Sequence, residues 1–297
     1  MAKDNTAQVL NINSLNNTQW NESLLQFKEY NIFQSYEWGE LKKSEGWEPL
    51  RITVSDNDCM ELTLIAQIVM KKVFGINIAW CPGGPLIITE NRDKADNALK
   101  KLKDIVTEYN LANLRCKTFM EDNDINNKFF IKFKKPTSTL TSRKTNIIKM
   151  MPSDDFLSQI RKKHRYYIKQ SLKNNIDWKI MENDEAGSEF SSIHKQMQQE
   201  KNLNLPIIDI ALFARLLDSS NTHKIITLGG YKDGECISAC VVSLFHRKAF
   251  YHYARKIRKE TGVKLVFFCA GNNLENVPYK FGFSGVRESE KDNTLSR

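Results

Sequence analysis

The sequence lacks the residue patterns that hold structural metals. Its six cysteines are scattered without a C-x-x-C pair, and no histidine stands at ligand spacing from any of them. This pattern argues against a structural zinc site and, because most neighbours are apolar, predicts reduced thiols in a protein core. The chain also has no H-E-x-x-H, G-x-S-x-G or Walker lysine motif, so no sequence motif indicates zinc-protease, serine-hydrolase or P-loop chemistry.

Long apolar runs are missing too. No stretch approaches the ~18 apolar residues of a membrane-spanning helix. The first 15 residues contain no apolar core of the kind found in secretory signals. We therefore expect a cytoplasmic protein that would meet any lipid-linked substrate by peripheral contact with the inner face of the membrane.

Positive charge is what the chain has in excess. It contains 44 lysines and arginines against 35 acids, a formal net charge of +9. Such a surplus favours acidic partners, which include nucleic acid, phosphorylated small molecules and anionic membranes, and charge alone does not choose among them. The length of 297 residues favours two modules.

The clearest concentration of cations lies in residues 153–174. At about 100° per residue this stretch forms an amphipathic helix that begins after the N-cap Ser153. One stripe of that helix is basic and consists of Arg161, Lys162, Arg165, Lys169 and Lys173. The stripe is either a solvated face or a phosphate-binding face, since clustered cations without interleaved acids are costly unless an anion compensates them.

A second informative stretch covers residues 32–52. Ser35 can cap a helix that carries Trp38, Gly46 can end it, and the residues from Trp47 alternate like a strand. We interpret both tryptophans as structural anchors of this helix–strand corner.

Helices and strands alternate along the rest of the chain, and the Ser/Thr-rich run 136–144 is the best domain boundary. The predicted helices are 18–30, 92–109, 186–201, 209–217 and 262–275. The predicted strands are 8–12, 60–72, 76–80, 112–120, 145–150, 176–181, 224–231, 236–245, 248–254 and 280–284. This order predicts two copies of one α/β plan, followed by a polar tail, 286–297, that we expect to be disordered.

Three stretches resemble the Fem (FemABX) family, whose aminoacyltransferases build peptidoglycan cross-bridges. The run F-Q-S-Y-E-W-G-E-L-K matches the family's N-terminal signature at Phe33, Gln34, Ser35, Trp38 and Lys42. The basic helix is similar to the family's R-x-x-I-[RK]-x-[AS] helix, with matches at Arg165, Ile168, Lys169 and Ser171. Gly84 and Pro85 match a strand-terminal G-P pair.

The resemblance implies a fold and an activity. The fold would be two tandem GNAT-like domains, 1–140 and 141–297, each a mixed and mainly antiparallel sheet flanked by helices. The activity would be transfer of an amino acid from aminoacyl-tRNA to the amine of a lipid-linked or nucleotide-linked peptidoglycan precursor. Aminoacyl-tRNA would be the co-substrate, with no metal and no other cofactor.

The resemblance also implies site residues. Lys42 and Lys201 would bind the phosphates of the precursor, with Lys201 standing where the family has an arginine. The basic stripe, from which we single out Arg161, Arg165, Lys169 and Lys173, would bind the tRNA backbone. No catalytic residue is assigned. Gly282 stands where the family has aspartate, and the F-K-x-x-F-G run that normally follows is missing.

Two other functions stay open on the sequence. The run 259–264 resembles a pyrophosphate loop that opens a helix, which would suit a GNAT-like N-acyltransferase using acyl-CoA or another donor. The surplus of positive charge and the altered C-terminal region would suit an inactive basic RNA-binding protein.

Overall fold

The chain forms two compact units, Met1–Thr137 and Ser138–Arg297. We describe them from a computed structural model. It describes residues 8–56, 61–88, 90–121, 123–131, 133–134, 146–149, 157–158, 162, 165–166, 168–169, 173, 176–201, 223–256 and 280–283. The predicted helices 209–217 and 262–275 and the tail 286–297 lie outside these residues.

A twisted sheet covered on both faces forms the first unit. Its strands are β1 (Gln8–Ile12), β2 (Glu48–Asp56), β3 (Leu62–Val73), β4 (Ile76–Gly83), β5 (Leu86–Ile87) and β6 (Leu111–Thr118). The sheet order is β1-β2-β3-β4-β6, and β5 pairs with β3. All neighbours are antiparallel except β4 and β6, which run parallel.

Four α-helices accompany this sheet. They are α1 (Asn17–Leu24), α2 (Tyr36–Ser44), α3 (Arg92–Glu108) and α4 (Asp124–Phe130). The apolar stripe of α3 packs on one face, where it buries Ala95, Ala98, Leu99, Leu102 and Ile105 against alternate residues of β2 and β3. Helix α2 contacts β2 and β3, and α1 contacts β3. Because helices cover both faces of the sheet, β2 is buried from Leu50 onward and β3 from Thr63 to Val69.

The largest differences from the sequence prediction are an early helix end and an unpredicted helix. Helix α1 ends at Leu24 instead of residue 30, because the chain turns there and buries Phe27. Helix α4 falls in a stretch for which the sequence predicted neither a helix nor a strand. The side chain of Asn123 caps it, and burial of Phe129 in the core fixes it in place.

The second unit contains a six-stranded sheet of similar plan. Its strands are β7 (Asn146–Lys149), β8 (Asp177–Met181), β9 (His223–Lys232), β10 (Glu235–Phe245), β11 (Lys248–Lys256) and β12 (Lys280–Phe283). The order is β7-β12-β11-β10-β9-β8, with β11 and β12 parallel and the other neighbours antiparallel. Helix α5 (Asn183–Lys201) packs on β9, β10 and β11 and buries Phe190. The predicted class, mixed and mainly antiparallel sheets flanked by helices, is confirmed.

The cysteines that the structure describes are thiols. Cys81, Cys236 and Cys240 are buried, and Cys116 is half-buried beside Cys81 on the neighbouring strand. Burial is the main cause that raises the pKa of Cys81 well above its ordinary value and that of Cys236 to about 11. The other two cysteines lie outside the described residues.

Candidate functional site

The stretch that resembles the family signature forms a tight corner of the first unit. A short 3-10 helix, Ile32–Gln34, leads directly into α2, and the Asn31 side chain accepts a hydrogen bond from the Phe33 amide. The buried Ser35 hydroxyl accepts from the Trp38 amide at 3.2 Å and donates to the Ile32 carbonyl at 2.8 Å. The predicted N-cap is therefore present, and it joins both helices.

Gln34 is the centre of this corner, and its side chain is fully buried. Its Nε2 donates to the Pro82 carbonyl at 2.7 Å and to the Gln67 carbonyl at 3.1 Å, while its Oε1 accepts from the Gln67 amide at 2.7 Å. One amide thus joins the 3-10 helix to β3 and β4. A buried amide with its donor and acceptor both used is rigid, because moving it would leave polar groups without partners.

Arg51 fastens α2 to the sheet from the other side. The guanidinium donates to the Glu40 carboxylate at 2.8 Å and to the Gln67 side chain at 3.0 Å, and it stacks on the Tyr36 ring at 3.6 Å. The opposite charges, the fixed geometry and the low exposure of Arg51 make this contact stiff. The corner is therefore a preorganised platform for whatever α2 presents.

The Gly83-Gly84-Pro85 turn closes the corner from the end of β4. Gly83 has φ of 69°, and an added Cβ would lie 2.2 Å from the Asn31 Oδ1. Only glycine fits both conditions. The Gly83 carbonyl accepts a hydrogen bond from the Asn31 side chain at 2.8 Å. The turn is thus a structural part of the corner.

Lys42 lies on α2, one turn after Trp38. Its ammonium pairs with the Glu45 carboxylate at 2.7 Å and lies 5.0 Å from the centre of the Trp38 ring. Only 16% of its side chain is exposed. An ammonium has three donors, so the contact with Glu45 leaves capacity for a second anion.

A series of aromatic rings extends from Trp38 to a second lysine. The Phe33 ring meets Trp38 at 4.8 Å and Phe119 at 5.8 Å, both edge to face. Lys117 lies 5.7 Å from the Phe119 ring, and burial lowers the pKa of its ammonium from the ordinary 10.5. We call these five residues, Phe33, Trp38, Lys42, Lys117 and Phe119, the lysine–aromatic cluster.

Sequence reasoning did not identify Lys117. It lies about 75 residues after Lys42, and only the parallel pairing of β6 with β4 brings it to the corner. The one local pattern that could have indicated Lys117 is the spacing Lys-x-Phe at the end of β6. Residues two apart in an extended chain face the same side, so this spacing places the lysine beside the Phe119 ring.

The other predicted site residues belong to the second unit. Arg161 lies outside the described residues, and so does the side chain of Lys201. The neighbourhood of Arg165 is helical, and its Nη1 donates to the carbonyls of Leu157 at 3.3 Å and Ser158 at 2.8 Å. Lys169 and Lys173 are exposed. Within the part of the stripe that is described, the lysines therefore offer charge to solvent, and one nitrogen of Arg165 donates to two backbone carbonyls.

A polar triad fastens the start of α5 to the second sheet. The Tyr231 hydroxyl donates to Glu185 at 3.1 Å, and the Lys179 ammonium pairs with the same carboxylate oxygen at 3.3 Å. The hydrogen bond from Tyr231 is the main cause that lowers the pKa of Glu185, and burial is the main cause that raises the pKa of Tyr231. Both shifts keep the phenol protonated and the carboxylate charged, which suits a structural clamp.

Two negative findings apply to the residues described. They contain no group of three or more histidines, cysteines and acids that could hold a metal ion. None of their helices is both long and apolar enough to cross a membrane.

Comparison with known proteins finds likeness in structure and not in sequence. No protein-family model matches the sequence, and no curated protein matches it. The crystal structure of FemX is similar with a TM-score of 0.74 at 14% identity, covering 96% of this chain and 91% of FemX. A tandem GNAT protein from the clavulanic acid biosynthesis pathway is similar with a TM-score of 0.57 at 10% identity. The match covers 98% of this chain and 93% of that protein's chain.

A conserved protein of unknown function from Bacteroides thetaiotaomicron VPI-5482 gives a TM-score of 0.52 at 8% identity, covering 86% of this chain and 82% of its own. Identities this low establish the fold alone. The chain shares its fold with FemX and with the tandem GNAT protein, as the sequence resemblance implied.

Proposed function

We propose that the chain is an acyltransferase and, more specifically, that it moves an amino acid from aminoacyl-tRNA to the amine of a peptidoglycan precursor peptide. The observation that carries this proposal is the likeness to FemX over 96% of the chain. The intact corner at Ile32–Gln34 and α2 supports it, because the residues that resemble the family signature are those that build the platform under Lys42.

The reaction needs little from the protein beyond positioning. The amine nitrogen of the acceptor attacks the ester carbonyl of aminoacyl-tRNA, the new C–N bond forms, and the ester C–O bond breaks. The proton that the amine loses ends on the released ribose hydroxyl. Orientation of two bound substrates and donors for the developing oxyanion supply most of the rate enhancement for such an activated acyl group.

The lysine–aromatic cluster is the proposed site for the phosphates of the acceptor. Lys42 and Lys117 stand at the two ends of a row of three rings, so the cluster joins two cations to an apolar surface. A diphosphate linked to a sugar or a lipid has matching chemistry, and each charge-assisted contact would contribute ~1.5–3 kcal/mol. Lys201, at the end of α5 in the second unit, remains a proposed phosphate-binding residue.

The basic stripe is the proposed site for the tRNA backbone. Lys169 and Lys173 are exposed and would contact phosphates directly, together with Arg161. Arg165 uses Nη1 for the carbonyls of Leu157 and Ser158, and a guanidinium has further N–H donors for a phosphate.

Transfer assays test the activity. Purified protein is mixed with radiolabelled aminoacyl-tRNA and a nucleotide-linked precursor, and acyl-CoA is run in parallel as donor. Label in the precursor from tRNA supports the proposal. Transfer from acyl-CoA alone would support the second candidate, a GNAT-like N-acyltransferase, which the likeness to the tandem GNAT protein favours. Binding of tRNA without transfer from either donor would indicate an RNA-binding protein.

A pair of neighbouring lysines tests the acceptor site. Lys42→Ala should weaken precursor binding about tenfold, the loss of one charge-assisted contact. Lys43 is the next residue and is exposed, so Lys43→Ala removes an equal charge and should leave the affinity for the precursor unchanged. Lys43→Ala should melt like the wild type, whereas Lys42→Ala should lose about 1 kcal/mol with its ion pair and ring contact, too little to unfold the first unit. Equal affinities in the two variants would remove Lys42 from the site.

The salt dependence of tRNA binding tests the stripe. Replacing Arg161, Arg165, Lys169 and Lys173 by Gln should reduce the slope of log affinity against log salt by about 3, since each phosphate contact contributes about 0.7–0.9. Selectivity among tRNAs should not change, because phosphate contacts carry no sequence information. A matched control replaces four cations of the first unit, Arg92, Lys100, Lys101 and Lys128. An unchanged slope in the first variant would refute the tRNA role.

A further inference from the structure

The hairpin between β3 and β4 ends in an unusual residue. Val73 pairs with Ile76, so the turn consists of Phe74 and Gly75 alone. Both residues have positive φ, 49° for Phe74 and 81° for Gly75. A two-residue turn of this kind favours Asn, Asp and Gly, because their backbones tolerate the left-handed region.

Phenylalanine is poorly suited to that position. The other described non-glycine residues with positive φ are Asn13, Asn110, Asp233 and His246. All four belong to the residue types enriched in the left-handed region, whereas a bulky aromatic residue there is an outlier. Phe74 therefore raises the free energy of the folded chain relative to Asn at the same place.

The folded chain gains nothing in return from the ring. Phe74 is 100% exposed, and the nearby Ile76 is 54% exposed. An apolar side chain that strains the backbone and covers none of the core indicates a contact outside the chain.

The residues behind the tip are basic. Lys72 is exposed, and the Lys71 ammonium lies 5.6 Å from the Trp47 ring and donates to the Glu45 carbonyl at 3.2 Å. An apolar tip followed by cations is the arrangement that places rings at the level of lipid headgroups and cations on anionic phosphates. A tryptophan beside them fits the same depth, because its ring is amphipathic.

The size of the tip favours a lipid surface over a protein groove. One phenylalanine and part of an isoleucine bury only a few hundred Å², whereas a specific protein interface needs about 1,200–2,000 Å². A bilayer needs no shape complementarity and accepts a single projecting side chain.

We propose that the Phe74 hairpin is a membrane anchor, which inserts Phe74 and Ile76 into the headgroup region of an anionic bilayer with Lys71 and Lys72 on its phosphates. This anchor would hold the first unit at a lipid surface whether or not the transfer reaction is as proposed above.

Flotation with lipid vesicles tests the anchor. The wild-type chain should float with vesicles of phosphatidylglycerol and less with vesicles of phosphatidylcholine. Phe74→Asn should reduce binding to phosphatidylglycerol by about tenfold or more, as expected for loss of a buried aromatic ring. Asn suits positive φ, so this variant should melt no lower than the wild type, which excludes unfolding as the cause.

Three further variants sharpen the result. Ile131→Asn removes another exposed apolar side chain of the first unit, 78% exposed, and should bind vesicles like the wild type. Phe74→Trp should keep binding, and its fluorescence should shift to the blue on phosphatidylglycerol vesicles. Lys72→Gln should weaken binding to phosphatidylglycerol about fivefold.

Failure of the anchor is distinguishable from failure of the proposed reaction, because flotation needs no substrate. A wild-type chain that floats with neither lipid overturns the proposal. So does a Phe74→Asn variant that binds within about twofold of the wild type, since ring insertion should contribute far more.

Discussion

Replacing Gln34 by Leu tests whether the signature corner is structural. The change keeps the approximate volume of the side chain but removes the hydrogen bonds at 2.7 Å to the Pro82 carbonyl and from the Gln67 amide. Each buried group left without a partner costs ~1–3 kcal/mol, so the first unit should lose about 2–6 kcal/mol. A domain is stable by only about 5–15 kcal/mol, so this loss should be easy to measure.

Urea unfolding followed by tryptophan fluorescence suits this measurement. Four of the five tryptophans, at positions 20, 38, 47 and 80, lie in the first unit. The matched control is Gln19→Leu, which removes an exposed glutamine of the α1 capping box and should cost no more than about 1 kcal/mol. A loss below about 1 kcal/mol for Gln34→Leu, equal to that of the control, would refute the structural role of the amide.

The two tryptophans of the corner should differ in their effect on the free energy of unfolding, measured in the same assay. Trp38→Ala should lower it by ~3–5 kcal/mol, because Trp38 is only 5% exposed. Trp47→Ala, at a half-buried position, should lower it by about 1–2 kcal/mol. A stable Trp38→Ala variant with lost precursor binding would make that ring a ligand contact. Ser35→Ala should cost about 1–2 kcal/mol through the lost N-cap, and no loss would show that water replaces it. Pyrophosphate binding should weaken as the pH rises through the lowered pKa of Lys117, because a neutral amine attracts no phosphate. Calorimetric titration at several pH values would show this loss of affinity. Lys117→Arg should remove the pH dependence, because a guanidinium stays charged.

Local patterns predicted most of the described elements. The apolar spacing of α3 and the alternation of β2 predicted their bounds within one or two residues. In β2 the apolar and the polar face are both buried, so the alternation shows where the strand lies but not that its polar side is covered. The end of α1 and the existence of α4 could not be predicted in this way. Each depends on the burial of a phenylalanine, Phe27 or Phe129, among residues that are distant in the sequence.

The site was less predictable than the fold. The helix that carries Lys42 follows from Ser35 as its cap, and its ion pair with Glu45 is a local contact three residues away. The burial of Gln34 was not predictable, because an amide has the same local signature on a surface as in a core. Lys117 was missed because only long-range strand pairing defines its neighbours.

The direction of a single strand decides which side chains meet Phe33. β6 runs parallel to β4, so Thr118 lies opposite Gly83 and the chain leaves both strands at the same end of the sheet. If β6 were antiparallel, its eight residues would carry Phe119 to the opposite end, about 25 Å away. A two-residue turn would suffice for that arrangement, whereas the parallel pair needs a crossover, which here contains the 17 residues of α3. A crossover too short for the parallel arrangement would therefore move Lys117 away from Lys42, even if every residue of the corner were kept.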